Sequence, residues 1–184
     1  MRLFAALAPP DEVLAEVVER VAPIRARQPE LRWAPAERMH LTLAFYGEVD
    51  EDPTHRLRGR LARVAGRYGP LTLHFGGAGA FPRRTRARVL WVGVDGDREQ
   101  LCRLADSANA AGRRVGIGSE DRRYRPHVTI ARAQVPRDVT GPVEELDTFV
   151  SISWTATELV LVHSIPGAQP AYETLAAFPL SRGE

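Results

Sequence analysis

Two short runs in this chain share one pattern of apolar and polar positions: Arg38-Met-His40-Leu-Thr42-Leu-Ala and Arg125-Pro-His127-Val-Thr129-Ile-Ala. Side chains alternate along a strand, so His40 and Thr42 share one face while Leu41 and Leu43 take the other. His127 and Thr129 repeat this against Val128 and Ile130. A coincidence of this kind, with the apolar flanks included, would arise in roughly one in a thousand shuffled sequences of ordinary composition. Each copy presents an imidazole and a hydroxyl to one side and anchors itself in a core with the other.

The remaining pattern predicts the elements around these strands. Residues 2–7 read as a buried strand stopped by Pro9-Pro10, and Leu14, Val17, Val18 and Val21 recur at helical spacing to about Arg27, with Pro23 as a kink point. Leu31 to Trp33 read as a short edge strand before the first motif strand, about Met39 to Glu48. A second amphipathic helix carries Leu57, Leu61, Val64, Ala65 and Tyr68 and is closed by Gly69-Pro70. Leu71 to Phe75 alternate as a strand, and the glycines of 76–82 predict a flexible connection. Val89 to Val94 form a further strand, and Asp95-Gly-Asp97 turns into a helix with Leu101, Leu104, Ala105 and Ala108 on one stripe. After a loop over 112–121 come the second motif strand, about His127 to Ala133, and an irregular segment to Pro142. Three strands, Phe149 to Trp154, Thr157 to Ser164 and Tyr172 to Phe178, close the chain.

The offset between the histidines, 127 − 40 = 87, also superposes Leu3 on Leu90, Phe4 on Trp91, Leu14 on Leu101, Val17 on Leu104 and Arg38 on Arg125. Strand, helix and motif strand recur in step. The expected fold is α+β: residues 1–184 as a single domain of two interleaved lobes, with repeat cores of about 2–49 and 89–134. Each lobe would be an antiparallel sheet with helices on its outer face, the two related by a pseudo-twofold axis across a central cleft.

Composition narrows the chemistry. The 184 residues are 44% hydrophobic, enough for a sizeable core, and no apolar run is long enough to span a bilayer. A cytoplasmic protein, with no membrane or protein partner and acting as a monomer, is expected. Cys102 is the sole cysteine, so neither an internal disulfide nor a cysteine-built zinc site can form. All 25 basic residues are arginine, which excludes a P-loop lysine, a lysine nucleophile and Schiff-base chemistry. Guanidinium groups fork onto phosphate oxygens, so phosphate-bearing partners suit this surface.

Two imidazoles across a cleft are sufficient equipment for general acid–base catalysis, one neutral and one protonated near an ordinary pKa of about 6.5. In-line displacement at phosphorus needs a base on the entering oxygen and an acid on the leaving one, from opposite sides. Thr42 and Thr129 would donate to the non-bridging oxygens. The competing readings are a metal pair and two structural histidines. A metal would want a third ligand, and neither motif carries a companion at spacing such as His-Glu-x-x-His, so no metal is expected. Of the other histidines, His55 and His74 read as structural or exposed, and His163, beside Ser164, as a residue that could border the cleft.

The motifs and their flanks resemble the two-histidine (2H) phosphoesterases, and within them the bacterial RNA 2′,3′-cyclic phosphodiesterases formerly called 2′-5′ RNA ligases. The resemblance rests on Arg2-Leu-Phe-Ala-Ala-Leu7, His40-Leu-Thr-Leu-Ala-Phe-Tyr-Gly-Glu-Val49, Phe81-Pro82 leading to Val89-Leu-Trp-Val-Gly93, Arg125-Pro-His-Val-Thr-Ile-Ala-Arg132, and Leu161-Val-His-Ser164 with Ala171-Tyr172. It implies the bilobal 2H fold, His40 and His127 as catalytic residues with Thr42 and Thr129, and Arg132 as a further phosphate contact. It also implies hydrolysis of ribonucleoside or RNA 2′,3′-cyclic phosphates to 2′-phosphates, with no cofactor. The alternatives are the reverse reaction, ATP-independent 2′-5′ joining, and a nucleotide- or RNA-binding module without turnover. Arg132 lies an odd number of positions after His127, so an unbroken strand would turn it from the cleft; a bulge, a strand that ends before it, or a long side chain reaching round an edge would restore it. Phe4, Trp33 and Tyr124 are candidate stacking partners for a base, and Arg125 a candidate contact at the rim.

Overall fold

The computed structural model describes residues 1–118, 122–168 and 170–182. Among these described residues nine strands form two antiparallel sheets. The first, in the order β3-β1-β8-β9, consists of β1 (Arg2–Leu7), β3 (Leu41–Glu48), β8 (Glu158–Ile165) and β9 (Ala171–Pro179). The second, β2-β6-β5-β4-β7, consists of β2 (Arg32–Trp33), β4 (Leu71–Phe81), β5 (Ala87–Gly96), β6 (His127–Arg137) and β7 (Trp154–Ala156). The α-helices of the described residues are α1 (Asp11–Arg27), α2 (Glu51–Ala65), α3 (Arg98–Arg113) and α4 (Thr140–Leu146). The α+β architecture read from the sequence is the one observed, and none of the described helices is long and apolar enough to cross a membrane.

The offset of 87 carries β1, α1 and β3 onto β5, α3 and β6. It also carries a defect. Ala5 lies opposite Ala44 and Ala6 opposite Thr42, so Leu43 has no partner; Leu90 lies opposite Ala131 and Trp91 opposite Thr129, so Ile130 has none. Both motif strands therefore bulge one residue after their threonine. Leu43-Ala44 and Ile130-Ala131 are consecutive buried pairs, and each bulge returns the next residue, Phe45 or Arg132, to the exposed face.

The helices are exchanged between sheets. α3 follows β5 of the second sheet yet packs on β3 of the first, where Tyr46 Oη donates to the Ala108 carbonyl (2.9 Å) and Asn109 Nδ2 to that of Leu43 (3.2 Å). Gly112 allows this approach, since a Cβ there would lie 2.8 Å from the Tyr46 ring. α2 packs on β8 and β9, whereas α1 lies beside α4, which packs on β4. Arg20 donates to the Glu145 carbonyl (2.8 Å), and Arg27 pairs with the Glu145 carboxylate, tying α1 to α4.

Two links hold the motif strands together. β2 pairs with β6, Trp33 opposite Ala131, and the Ala34 amide donates to the Ile130 carbonyl (2.9 Å), so the chain is stitched to the second motif just before it enters the first. In return, Tyr124 donates its hydroxyl to the Thr42 carbonyl (2.9 Å).

Three expectations are corrected. The glycine-rich stretch 76–82 is not a flexible connection for most of its length, because β4 continues to Phe81. Its glycines serve close approach: Gly77, at φ +66°, lies in a bulge, and a Cβ on Gly79 would fall 2.2 Å from the Trp91 ring that lies across it. The irregular segment before Pro142 leads into α4, whose Val143 and Leu146 are buried; a helix of two turns gives too few periodic positions to read. The strand expected from Phe149 shrinks to Trp154–Ala156, preceded by a single bridge between Gly76 and Val150. The loop expected over 112–121 ends outside the described residues, and α3 takes up its start.

Candidate active site

The two sheets bound a cavity of about 330 Å³, at the lower end of the range for small-molecule sites. Thr42 of the first sheet, with His40 just before its strand, and His127 and Thr129 of the second all line it, as does Arg132. Phe4, also in the lining, belongs to a small apolar cluster with Ala6, Val160 and Val162 that is separate from the main core. Sequence reasoning missed Arg2, Arg38, Phe45, Ser164 and Tyr172, which also line the cavity. Phe45 could have been found by carrying Arg132 back 87 positions.

The remaining residues singled out in the sequence stand elsewhere. Trp33 packs on the main core with its indole N–H given to the Gln28 carbonyl (3.1 Å), and Tyr124 spends its hydroxyl on Thr42, so neither ring is a wall of the cavity. Arg125 also lies outside the lining, its Cζ 5.9 Å from the Trp91 ring centroid. His163 is passed over for its neighbour: alternation along β8 gives the cavity Ser164, and His163 Nδ1 lies 3.7 Å from Glu173.

Each histidine is clamped between two aromatic rings. His40 meets Phe4 and Tyr172 at centroid distances of 6.0 and 5.3 Å, both edge-on. His127 meets Phe81 edge-on at 4.9 Å and Trp91 tilted at 5.7 Å, Trp91 being the counterpart of Phe4 under the offset. These contacts leave each imidazole little rotational freedom.

Electrostatics separates the pair. His127 Nδ1 lies 2.6 Å from the Arg125 carbonyl, which only accepts, so Nδ1 carries the proton and Nε2 holds the free lone pair in the neutral ring. Burial lowers the pKa of His127 below the ordinary imidazole value; the Arg125 carbonyl opposes this, and the Arg132 and Arg125 cations add to it. Burial lowers His40 too, opposed by the Arg38 carbonyl, but no cation contributes. His40 Nδ1 is buried with no partner at hydrogen-bond geometry. A cation beside an imidazole disfavours its charged form, so removing one raises the pKa. Arg132→Gln is expected to raise the His127 pKa followed by imidazole NMR and to move His40 less; a larger shift at His40 would show that Arg132 faces the other ring.

No carboxylate lines the cavity, against three arginines, and Arg2, Arg38 and Arg132 have no carboxylate partner among the described residues. No group of three or more His, Cys, Asp or Glu side chains is placed to hold a metal ion among the described residues. A larger cavity, about 530 Å³, lies between Arg67, Asp97 and Arg103. Several of its polar groups are already engaged: Arg103 pairs with Glu99, Tyr68 bonds Ser107, and Asp97 accepts from the Thr72 amide.

Two antiparallel sheets meeting at such a cleft form the fold of the two-histidine phosphoesterases. The chain belongs to the 2′-5′ RNA ligase superfamily, which it matches over residues 9–167. It is similar to an RNA 2′,3′-cyclic phosphodiesterase of Aeropyrum pernix, 35% identical over 143 residues that cover 76% of this chain and 80% of that one. Among solved structures it resembles TT0787 of Thermus thermophilus, with a TM-score of 0.84 and 29% identity over the whole of both chains. It also resembles Escherichia coli LigT complexed with 3′-AMP, with a TM-score of 0.74 and 28% identity over 97% of each chain.

Proposed function

We propose that this protein hydrolyses ribonucleoside or RNA 2′,3′-cyclic phosphates to 2′-phosphates, with His127 as general base and His40 as general acid. The observation that carries the reading is the convergence of both His-x-Thr pairs and Arg132 on one cavity that no carboxylate lines. Relatives named RNA 2′,3′-cyclic phosphodiesterase and a LigT complex with a nucleotide support the substrate class.

Water attacks phosphorus while Nε2 of His127 takes its proton; the P–O3′ bond breaks, and His40 delivers a proton to O3′. The phosphate stays on O2′. The Arg132 and Arg125 charges favour the neutral form of His127 that a base requires, whereas burial alone lowers His40 and no cation adds to it. Thr42, Thr129 and Arg132 receive the charge that grows on the non-bridging oxygens. The scheme uses no metal and no organic cofactor. The chain acts as a single domain whose repeat cores, about 2–49 and 89–134, share one cleft, and since both walls come from one chain a monomer suffices.

The same groups serve the reverse condensation with a second RNA end, because a base for one direction is the acid for the other. Incubation with 2′,3′-cyclic nucleotides in the presence of a chelator is expected to yield the 2′-phosphate, and half-molecule RNAs give the ratio of hydrolysed to joined product. A 3′-phosphate product, or turnover that stops in the chelator, would overturn the reading.

A further inference from the structure

Both walls of the cleft carry an arginine, Arg132 from a motif strand on one and Arg2 from β1 on the other. The offset of 87 sets Phe45 against Arg132 and Arg2 against Val89. In the second sheet Arg132 on β6 lies opposite Val89 on β5, so the motif strand supplies the cation. In the first sheet the register differs, Arg2 on β1 lying opposite Glu48 and Phe45 on β3 opposite Phe4. The motif strand supplies Phe45, and β1 supplies Arg2, whose Cζ sits 5.2 Å from the centroid of the Phe45 ring. Phe45 is 44% exposed, so its ring stands in the cleft as a platform for the guanidinium and not as part of the core.

Arg2 lines the same cavity as the histidines, has no carboxylate partner among the described residues, and faces no acidic residue in the lining. A cyclic phosphodiester carries one negative charge, and Arg132 with two threonine hydroxyls already answers it. Arg2 and Arg38, the two further cations of the lining, fit a second anion, and of the two Arg2 is the one seated on an aromatic ring. On a ribonucleotide bearing a 2′,3′-cyclic phosphate, the nearest further anion is a phosphate on the 5′-oxygen of the same ribose.

We propose that Arg2, seated on Phe45, binds the phosphate on the 5′-oxygen of the terminal nucleoside. This rests on the cyclic phosphodiesterase reading and makes 5′-phosphorylated ends, above all the ends of RNA chains, the preferred substrates over a bare nucleoside cyclic phosphate. The contact is electrostatic and lies away from the bond that breaks, so it acts on binding.

The test compares kcat/KM of the wild type and Arg2→Gln on three substrates: adenosine 2′,3′-cyclic phosphate, the same compound with a 5′-phosphate, and a dinucleotide ending in a 2′,3′-cyclic phosphate. The wild type is expected to favour the two phosphorylated compounds by about tenfold, the usual worth of one hydrogen-bonded charge at a partly exposed site. Arg2→Gln is expected to lose that preference. The wild-type slope of log kcat/KM against log salt on the dinucleotide should be steeper by about 0.7 than on the bare nucleoside, as one added phosphate contact requires. A preference for the dinucleotide alone assigns the site to the phosphodiester of RNA, and an equal preference to any 5′-phosphate. A wild type that treats all three alike, or an Arg2→Gln loss of equal size on all three, would overturn the proposal, the latter by placing Arg2 on the reacting phosphate. No turnover of any of the three would instead remove the phosphodiesterase reading and this site with it.

Discussion

His40→Ala and His127→Ala are each expected to lower kcat by about 10²-fold to 10⁴-fold, the usual contribution of a positioned acid or base. The loss falls on the chemical step, because each ring meets substrate through a proton it gives or takes. Neither side chain belongs to the main apolar core, so the variants should fold; the rings around each imidazole, Phe4 with Tyr172 and Phe81 with Trp91, already pack on one another at centroid distances of 5.1 and 5.3 Å. The double variant should lose little more than the worse single one, since acid and base act in one concerted displacement. Steady-state kinetics on a 2′,3′-cyclic nucleotide measures this. Near-wild-type turnover in either variant would mean that the cleft works by other groups.

Thr42→Val and Thr129→Val are expected to lower kcat by about 10²-fold each, the lower end of what one transition-state hydrogen-bond donor supplies. Valine keeps the shape and removes only the hydroxyl. Both threonines are half-buried on the cleft face, with their apolar neighbours Leu41, Leu43, Val128 and Ile130 holding the strands in the core. The Tyr124 hydroxyl grips the carbonyl of Thr42, not its side chain, so the strand stays placed in the variant. Because the charge grows as the displacement proceeds, KM should change less than kcat. A rise in KM at unchanged kcat would assign the threonines to ground-state binding.

Much of this was legible because the repeat is visible at three levels. The 87-residue offset predicted β1, α1 and β3 against β5, α3 and β6, and alternation predicted which residues of each motif share a face. The Arg132 question had its answer in the sequence as well. Leu43-Ala44 and Ile130-Ala131 break the alternation at equivalent points, and a consecutive apolar pair within an alternating strand is how a bulge reads before it is seen. Two such breaks in register turn Phe45 and Arg132 to the cleft together.

The rest depended on pairings far apart in the chain. The register of β1–β3 differs from that of β5–β6 by two residues, with Ala6 opposite Thr42 but Trp91, the counterpart of Phe4, opposite Thr129. An even shift preserves faces, so alternation carries no trace of it. Glycines 76, 77 and 79 read as flexible because their purpose, a bulge and a bed for Trp91, is set by β5 across the sheet. Tyr124 and Trp33 read as free aromatics because the carbonyls that occupy their polar ends, on Thr42 and Gln28, belong to tertiary structure. Tyr172 and Ser164 reach the cavity only because β8 and β9 join the sheet of the first motif.

The central claim is that two histidines act on one phosphate from opposite sides, His127 on the entering water and His40 on the departing oxygen. A substrate with sulfur in place of the ribose O3′ tests it most directly, because a thiolate, with a pKa near ~8.5, leaves without an acid. On that substrate His40→Ala should recover most of its lost rate while His127→Ala recovers none. Equal and undiminished losses in both variants would contradict the account, and recovery in His127→Ala alone would exchange the two roles.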